Sequence, residues 1–484
     1  MEKYSEYLII GAGVSGLAIG KTLSSINKKF LIIEQSDKIG GVWNSTKYDG
    51  LGSHTPSYFY RYLSFPWKNN GKFKHNNYNP LDLHSEQPSR NDIIDYLDEY
   101  SESMIDRIIF NSKVTKVVYD ELTKEFTTYF EKADNNEIQS ICKSKYLIIT
   151  VGNKFNAGEK KVPKIVSDKN SNTQIFHSSD FYDLKKIKEN IGDKKIVVIG
   201  TGKSSQDLLI GLFKNDIKNV SVLYHKPLYS MYYEALDKID SLKLKFAVLL
   251  KLIFGWNKLT RIFIRKLTDE VMVNAFDKSI DPDNWNLGFI KKRHVSILQS
   301  FKSYKISKVN DHKILNNQLI IGNKKFDVDI LVYATGFKGL SNDTLFPIYK
   351  KNNGKLKPFR IQNLYCATMC LELNNLFVPC GRSGLPSSVQ SEIDAMWIAS
   401  ISNINEVEIN NKYVTPFPYN FDPRSMVKKL LVYKKFGNKI SKDIINAKVF
   451  SFSLNSGGSM YNFFKKNRCN ILLKVTSEID NKIL

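Results

Sequence analysis

Three glycines near the start of the chain have the spacing of a phosphate-binding turn. They are Gly11, Gly13 and Gly16, and they follow an apolar run at 7–10. In such a turn the first glycine permits a tight bend, the second lets the backbone approach a pyrophosphate, and the third lets helix and strand pack closely. A helix that begins here offers free N–H groups and the positive end of its dipole to phosphates. The spacing therefore predicts a dinucleotide site.

The acidic residue after the next apolar run indicates which dinucleotide the turn binds. Glu34 follows the run at 30–33 and stands 18 residues after Gly16. Its carboxylate would accept hydrogen bonds from ribose hydroxyls and repel a 2′-phosphate, which favours FAD or NAD over NADPH. The pair Gly40-Gly41 follows soon after and lets the backbone pass close to a ligand a second time. This second approach suits a long, extended cofactor and favours FAD.

A second turn of the same kind occurs near the middle of the chain. Gly200 and Gly202 follow the apolar run at 196–199, and Ser205 replaces the third glycine with another small residue. The next strand-like run, at 220–224, is followed by His225 and Lys226, and no acidic residue stands at its end. Because a cation at this place pairs with a 2′-phosphate, we expect this second turn to bind NADPH.

Each turn needs a strand before it and a helix and a second strand after it. The order of apolar runs and helical stretches repeats this strand–turn–helix–strand pattern, which predicts an α/β fold with two Rossmann-like dinucleotide-binding domains. Between the turns, the sequence predicts a helix at 91–103 and short strands over 113–151. Strand-like runs return at 319–335 and 376–380, and the last part of the chain is mixed.

The positions of the two turns suggest three parts of the chain. We expect an FAD-binding first part, an NADPH-binding domain with a helical insertion, and a return to the first domain followed by a C-terminal extension. Their predicted bounds are 1–185, 186–335 with the insertion at about 241–268, and 336–484.

Composition excludes several classes of protein. The chain has 484 residues and five cysteines, an odd number without a Cys-x-x-Cys pair, which argues against a disulfide scaffold, a metal site and a dithiol redox centre. It contains no nucleic-acid-binding motif. Its net charge of +23 comes from lysines spread along the whole chain, which favours a general effect on solubility over a dedicated anionic partner. With no signal peptide and no long apolar segment, a cytoplasmic location is expected.

The order of these motifs resembles the class B flavin monooxygenases, and within them most closely the flavin-containing monooxygenase family. The resemblance spans about residues 5–395. Ser171, Thr173 and Lys203 depart from the family pattern, which has phenylalanine, glycine and frequently asparagine at these places. Phe181 fits the pattern, and it differs from the tryptophan of the Baeyer–Villiger branch. The matching residues are Gly11, Gly13, Gly16, Glu34, Gly40, Gly41, Trp43, His177, Gly200, Gly202, Ser204 and the stretches 329–337 and 375–394.

The resemblance implies the chemistry and further site residues. NADPH would reduce FAD, and the reduced flavin would form a C4a-hydroperoxide with O2 that oxygenates a small nitrogen, sulfur or carbonyl substrate. The protein would orient the reactants and exclude water. His54 stands where many relatives have an active-site asparagine, which implies a polar group at the flavin; a structural histidine is the alternative. The resemblance adds to the cofactor contacts Trp43, Ser204, Thr335 and Gly381.

Other interpretations stay open at this point. A flavin reductase or oxidase without oxygenation would use the same two sites, and a non-enzymatic nucleotide-binding protein would need only their binding function. The basic, apolar stretch at 242–267 fits either a helical cap over a substrate channel or an interfacial helix in peripheral contact with an anionic membrane. The sequence predicts no oligomeric state and does not distinguish nitrogen, sulfur and carbonyl substrates.

Overall fold

The fold is described from a computed structural model of the 484-residue chain. The structure describes residues 2–46, 51–53, 60–62, 64–65, 67, 88–132, 135–152, 160–163, 165–168, 171–180, 191–225, 229–232, 272–276, 285–290, 292–306, 312–379, 387–402, 409, 411 and 414–417. The predicted helical insertion at about 241–268 and the basic stretch at 242–267 lie outside these residues.

The strands and helices alternate along most of the described chain. The strands are β1 (Glu2–Ile10), β2 (Phe30–Ile33), β3 (Ile108–Ile109), β4 (Ser112–Asp120), β5 (Glu125–Lys132), β6 (Asn135–Ile149), β7 (Val166–Ser167), β8 (Gln174–His177), β9 (Ile196–Ile199), β10 (Val220–Tyr224), β11 (Tyr229–Tyr232), β12 (Met272–Asn274), β13 (Trp285–Ile290), β14 (Lys302–Lys305), β15 (His312–Leu315), β16 (Gln318–Ile321), β17 (Lys324–Asp327), β18 (Ile330–Tyr333), β19 (Ile348–Asn352), β20 (Lys355–Phe359), β21 (Asn363–Tyr365), β22 (Met369–Cys370), β23 (Leu376–Phe377) and β24 (Val414–Pro416). The helices are α1 (Val14–Ser25), α2 (Val42–Ser45), α3 (Arg90–Ser101), α4 (Lys203–Lys214), α5 (Lys292–Gln299) and α6 (Ser387–Ile401), with a 3-10 helix at Glu102–Arg107.

The first Rossmann unit forms the parallel part of a 12-stranded sheet. Strands β3, β2, β1, β6 and β23 lie side by side, and each neighbouring pair is parallel. Along β1, Tyr7 and Ile9 pack into one hydrophobic cluster and Leu8 and Ile10 into another. Both faces of the strand are therefore buried, which explains why its sequence is a continuous apolar run and does not alternate with polar residues.

Later segments extend this sheet and cover it. Strands β5 and β4 follow β6 in antiparallel order, and β19 then adds in parallel to β4. Strands β20 to β24 also belong to this sheet. Helix α6 packs with α1 over one face, where Trp397 and Ile398 share a cluster with Leu17 and Ala18. The chain after residue 336 thus returns to the first sheet.

The second Rossmann unit is a five-stranded parallel sheet in the order β14-β10-β9-β18-β8. Its central strands are buried on both faces, because Val198 and Val222 pack on one side and Val197 and Leu223 on the other. Strand β8 comes from 174–177, so this sheet begins before the predicted boundary at residue 186. Most of β8 is exposed or half-buried, so its sequence lacks the longer apolar run of the central strands.

Helix α3 shows how a local cap sets an element boundary. Ser89 is the N-cap, and its side chain and that of Asp92 form a reciprocal capping box. The cap starts the helix at Arg90, close to the predicted start at 91. The α-helix ends at Ser101, before the predicted end at 103, and the chain continues as a 3-10 helix to Arg107.

None of the helices among the described residues combines the length and the apolar character that a membrane crossing requires. The described residues also contain no group of three or more histidine, cysteine, aspartate or glutamate side chains placed to hold a metal ion.

Candidate functional site

Two glycines of the first turn are required by the fold itself. Gly11 has φ +103°, and a Cβ added there would lie 2.7 Å from the carbonyl oxygen of Thr150. A Cβ on Gly16 would lie 1.9 Å from the carbonyl oxygen of Gly11. Both distances are far inside van der Waals contact, so a larger residue at either place would force the turn and α1 away from the sheet.

Gly13 differs from its neighbours because neither packing nor backbone conformation requires a glycine there. Its φ of −77° is ordinary for any residue, and an added Cβ would meet only the Cα of Gly41, at 3.7 Å. Gly13 is the N-cap of α1, so the free N–H groups of that helix begin beside it. The missing side chain leaves room for a ligand group to approach these N–H groups.

The Gly40-Gly41 loop lies on the same turn. The Gly40 N–H donates to the carbonyl oxygen of Ala12 at 3.0 Å, and the φ angles of Gly40 and Gly41 are +102° and +55°. Gly41 is the N-cap of the short helix α2. In α2, the Trp43 indole donates a hydrogen bond to the Tyr60 hydroxyl, and the two rings meet edge to face at 5.4 Å. The backbone therefore approaches the candidate phosphate space from two sides.

Glu34 lies at the end of β2 with its carboxylate held in place. It is buried, and its Oε2 accepts a hydrogen bond from the Ala12 N–H at 2.6 Å. Its Oε1 accepts from the Ser36 N–H at 2.9 Å, and the Ser36 hydroxyl lies 2.7 Å away. A carboxylate has about four lone-pair positions, so it retains acceptor capacity for a hydroxyl donor.

The second turn has the same geometry as the first, except that Ser205 replaces the third glycine. Gly200 has φ +120°, and a Cβ there would lie 2.5 Å from the carbonyl oxygen of Ala334. Gly202 is the N-cap of α4, and nothing lies within 4 Å of its added Cβ. Ser205 is fully buried, and its hydroxyl has no hydrogen-bond partner among the described residues. A Cβ at the matching Gly16 would clash with the first turn, whereas Ser205 carries a Cβ at this place. The position of α4 relative to its turn must therefore differ from that of α1.

The residue at the end of the second strand also differs between the two units. His225 follows β10, is half-buried, and has its Nδ1 3.5 Å from the carbonyl oxygen of Ile306. The first unit has the Glu34 carboxylate at the matching position. Ser204, in the first turn of α4, is half-buried.

Thr335 and His177 lie where the two units are joined. The Thr335 hydroxyl donates to the carbonyl oxygen of Lys161, and the Lys161 N–H donates to that of Gly336 at 2.9 Å. His177 Nε2 lies 3.1 Å from the same Gly336 oxygen. The Ser179 N–H donates to His177 Nδ1 at 3.2 Å, which places the ring proton on Nε2. Burial lowers the pKa of His177, so the ring is neutral in this junction.

Three predicted site residues, His54, Lys226 and Gly381, lie outside the described residues, and their roles stay predictions.

The structure adds two residues that sequence reasoning missed. The Thr150 hydroxyl lies 2.8 Å from the carbonyl oxygen of Ile10, beside the first turn, and Tyr62 donates to that of Val14 at 2.7 Å. Thr150 had a usable signal, because it directly follows the buried strand β6 at the sheet edge where dinucleotides bind. Tyr62 had no local signal.

Family models and curated relatives match parts of the chain. A model described as L-lysine 6-monooxygenase/L-ornithine 5-monooxygenase matches residues 51–235, and one described as an NAD(P)-binding Rossmann-like domain matches residues 9–75. The probable indole-3-pyruvate monooxygenase YUCCA8 of Arabidopsis thaliana is 25% identical over 346 residues, which cover 68% of this chain and 74% of that protein.

Solved structures share the fold over most of the chain. The open crystal structure of cyclohexanone monooxygenase aligns with a TM-score of 0.57 and 14% identity, covering 82% of this chain and 87% of that one. The complex of OTEMO with FAD and NADP aligns with a TM-score of 0.59 and 16% identity, covering 82% and 84%. At such identities the likeness shows the fold alone. The chain is therefore similar in sequence to monooxygenases and shares its fold with solved flavin-dependent monooxygenases.

Proposed function

We propose that the chain is an NADPH- and O2-dependent flavoprotein monooxygenase that oxygenates a small substrate at nitrogen, sulfur or a carbonyl group. The observation that carries the proposal is the contrast between two matching strand ends. Glu34 presents a buried carboxylate after β2, and His225, followed in sequence by Lys226, stands after β10. A carboxylate suits a free ribose and cations suit a 2′-phosphate, so one chain offers sites for two different dinucleotides.

The first unit fits FAD. The missing side chain at Gly13, the N-terminus of α1 and the second backbone approach at Gly41 suit a pyrophosphate. The Glu34 carboxylate, held by the Ala12 N–H, would accept hydrogen bonds from the adenosine ribose. The name of the OTEMO complex, which contains FAD and NADP, supports the same pair of ligands for this fold.

The second unit fits NADPH. The open space at Gly202 and the N-terminus of α4 would receive the pyrophosphate. His225 and Lys226 would face the 2′-phosphate at the end of β10. Charge-assisted hydrogen bonds to a phosphate are the strong ones, and a carboxylate at that place would oppose them.

FAD and NADPH together would supply two electrons and the activation of O2, so that substrate, O2, NADPH and a proton give oxygenated product, water and NADP⁺. The residues of this chain bind and orient these groups and keep water out. We expect His54 to place a polar group at the flavin. The neutral His177 ring holds the junction at Gly336, so that the two binding units keep a fixed connection.

The proteins similar to this chain are named for different substrates. Their names give L-lysine and L-ornithine, indole-3-pyruvate, and cyclohexanone. The reaction class is common to these proteins and the substrate is not. We therefore propose a small nitrogen, sulfur or carbonyl compound as the substrate.

Mixing the purified protein with NADPH tests the proposal. We expect a yellow protein whose flavin absorbance bleaches with NADPH in the absence of air and returns with O2. In a screen of amines, sulfides and ketones under 18O2, at least one compound should gain one 18O atom per NADPH consumed. NADPH consumption that yields only hydrogen peroxide with every compound would indicate a reductase or oxidase. A protein that purifies without flavin and cannot be loaded with FAD would contradict the proposal outright.

A further inference from the structure

The two glycine turns differ in the first residue of the helix that follows them. In the first unit Val14 begins α1 directly after Gly13, and in the second Lys203 begins α4 directly after Gly202. The same place in two equivalent turns thus carries an apolar side chain in one and a cation in the other.

A lysine is poorly suited to this end of a helix. The first turn carries the positive end of the helix dipole, which favours acidic side chains and opposes cations. The first turn of α4 contains no acidic residue. Helix electrostatics alone therefore do not explain Lys203.

Asp207 holds the Lys203 ammonium at the start of the helix. It lies one turn further along α4, and its carboxylate forms an ion pair with Lys203. Side chains of a helix lean towards its N-terminus, so Asp207 reaches back to the first turn. The Asp207 side chain is 6% exposed and that of Lys203 is 35% exposed. A buried carboxylate thus fixes a cation that remains open to solvent.

The ammonium keeps donors for a ligand. It has three N–H groups, and within the described part of the chain its one hydrogen-bond partner is Asp207. The adjacent Gly202 has nothing within 4 Å of its added Cβ. The cation therefore stands beside an open space that also faces the free N–H groups of α4.

We propose that Lys203, positioned by Asp207, binds the pyrophosphate of the nicotinamide coenzyme. This inference rests on the proposed function, because it assumes that the second turn receives such a coenzyme. It adds a residue whose contact lies at the turn, whereas His225 and Lys226 follow the far strand and would face the 2′-phosphate. NADPH and NADH share the pyrophosphate, so Lys203 contributes equally to both, and the residues after β10 discriminate between them.

Dissociation constants of NADP⁺ and NAD⁺ for the flavin-loaded protein, measured by calorimetry, test this assignment. Lys203→Gln removes the charge at nearly unchanged helix propensity. We expect both constants to rise by a similar factor, about tenfold to a hundredfold, and to depend less on salt than in the wild type. Lys203→Arg should keep most of the affinity. Asp207→Asn, which frees the ammonium, should weaken both coenzymes by a smaller factor.

Lys214→Gln is the matched control. It removes the same charge from the exposed other end of α4, about 16 Å away at 1.5 Å per residue, and should leave both constants unchanged. Unchanged constants in Lys203→Gln would overturn the proposal and leave a purely structural ion pair. A loss confined to NADP⁺ would also overturn it and move the contact to the 2′-phosphate. Wild-type protein that binds FAD but neither coenzyme would instead contradict the proposed function.

Discussion

The Glu34 carboxylate accepts a hydrogen bond at 2.6 Å from the backbone N–H of Ala12, the residue between the first two glycines of the leading turn. This bond joins the end of β2 to the turn between β1 and α1. The Glu34 carboxylate is therefore held at a fixed distance from the turn on which the pyrophosphate of a dinucleotide would lie. In the second unit the matching position is taken by His225, whose ring lies 3.5 Å from the carbonyl oxygen of Ile306.

Replacing Glu34 by glutamine should weaken both the fold and FAD binding. The amide nitrogen of Gln cannot accept a hydrogen bond, so either the Ala12 or the Ser36 N–H loses its acceptor in a buried place. We expect the free energy of unfolding of the flavin-free protein to fall by about 1–3 kcal/mol in denaturant titrations. Glu6→Gln, in a half-exposed ion pair with Lys28, is the control and should change it by less than about 1 kcal/mol. Equal effects of the two changes would contradict the role of Glu34.

Alanine substitutions at Gly13 and at Gly16 should have different effects, the first on flavin binding and the second on stability. Gly13→Ala places a methyl group in ordinary contact with the Gly41 Cα, at 3.7 Å, and in the space proposed for the pyrophosphate, so we expect a folded protein that purifies without flavin absorbance. Gly16→Ala places one 1.9 Å from the Gly11 carbonyl oxygen, so we expect a loss of stability of about 1–3 kcal/mol or more in thermal unfolding. A Gly13→Ala protein with full FAD occupancy would contradict the assignment of the first turn.

His177 should make stability depend on pH. Burial lowers its pKa below the ordinary 6.5, so the unfolded chain takes up the proton first as the pH falls. Its contribution is therefore complete above about pH 6.5 and is lost as the pH falls through 6.5 towards the lower folded pKa. His177→Gln keeps an N–H donor for Gly336 but does not titrate. We expect the midpoint of thermal unfolding to depend less on pH between about 5 and 7 in this variant; identical profiles would contradict the prediction.

Lys226→Glu should change the choice of coenzyme. A carboxylate there would repel the 2′-phosphate of NADPH and leave NADH, which lacks it, nearly unaffected. We expect kcat/KM for NADPH to fall about tenfold to a hundredfold and that for NADH to change little. Lys218→Glu, which alters an exposed lysine before β10, is the control. Equal losses of kcat/KM with both coenzymes would show that Lys226 does not bind the 2′-phosphate.

The two Rossmann units could be predicted because their signals are local. Strands β1, β2, β9 and β10 are short apolar runs, and the turns after β1 and β9 contain glycines at fixed spacing. The fold class predicted from them is confirmed. The start of α3 was also close to its predicted place, because Ser89 and Asp92 form a recognisable cap.

Contacts between distant segments could not be predicted in this way. Strand β19 pairs with β4, with Ile348 beside Val117, although more than 200 residues separate them and the hairpin of β19 and β20 is rich in exposed lysines. Cys366 and Ala367 adopt φ angles of +49° and +53° in a buried turn where rules of turn sequence expect glycine or asparagine. Packing in the assembled core sets both features, and no local pattern records them.

A structure of the chain with FAD and NADP⁺ bound is the most direct test of the central claim, that the two units hold different dinucleotides. We predict the adenosine ribose hydroxyls of FAD at hydrogen-bond distance, about 2.7–3.2 Å, from the Glu34 carboxylate. We predict the 2′-phosphate of NADP⁺ beside His225 and Lys226. A structure in which the ribose of FAD lies away from Glu34, or in which NADP⁺ occupies the first turn, would contradict the account.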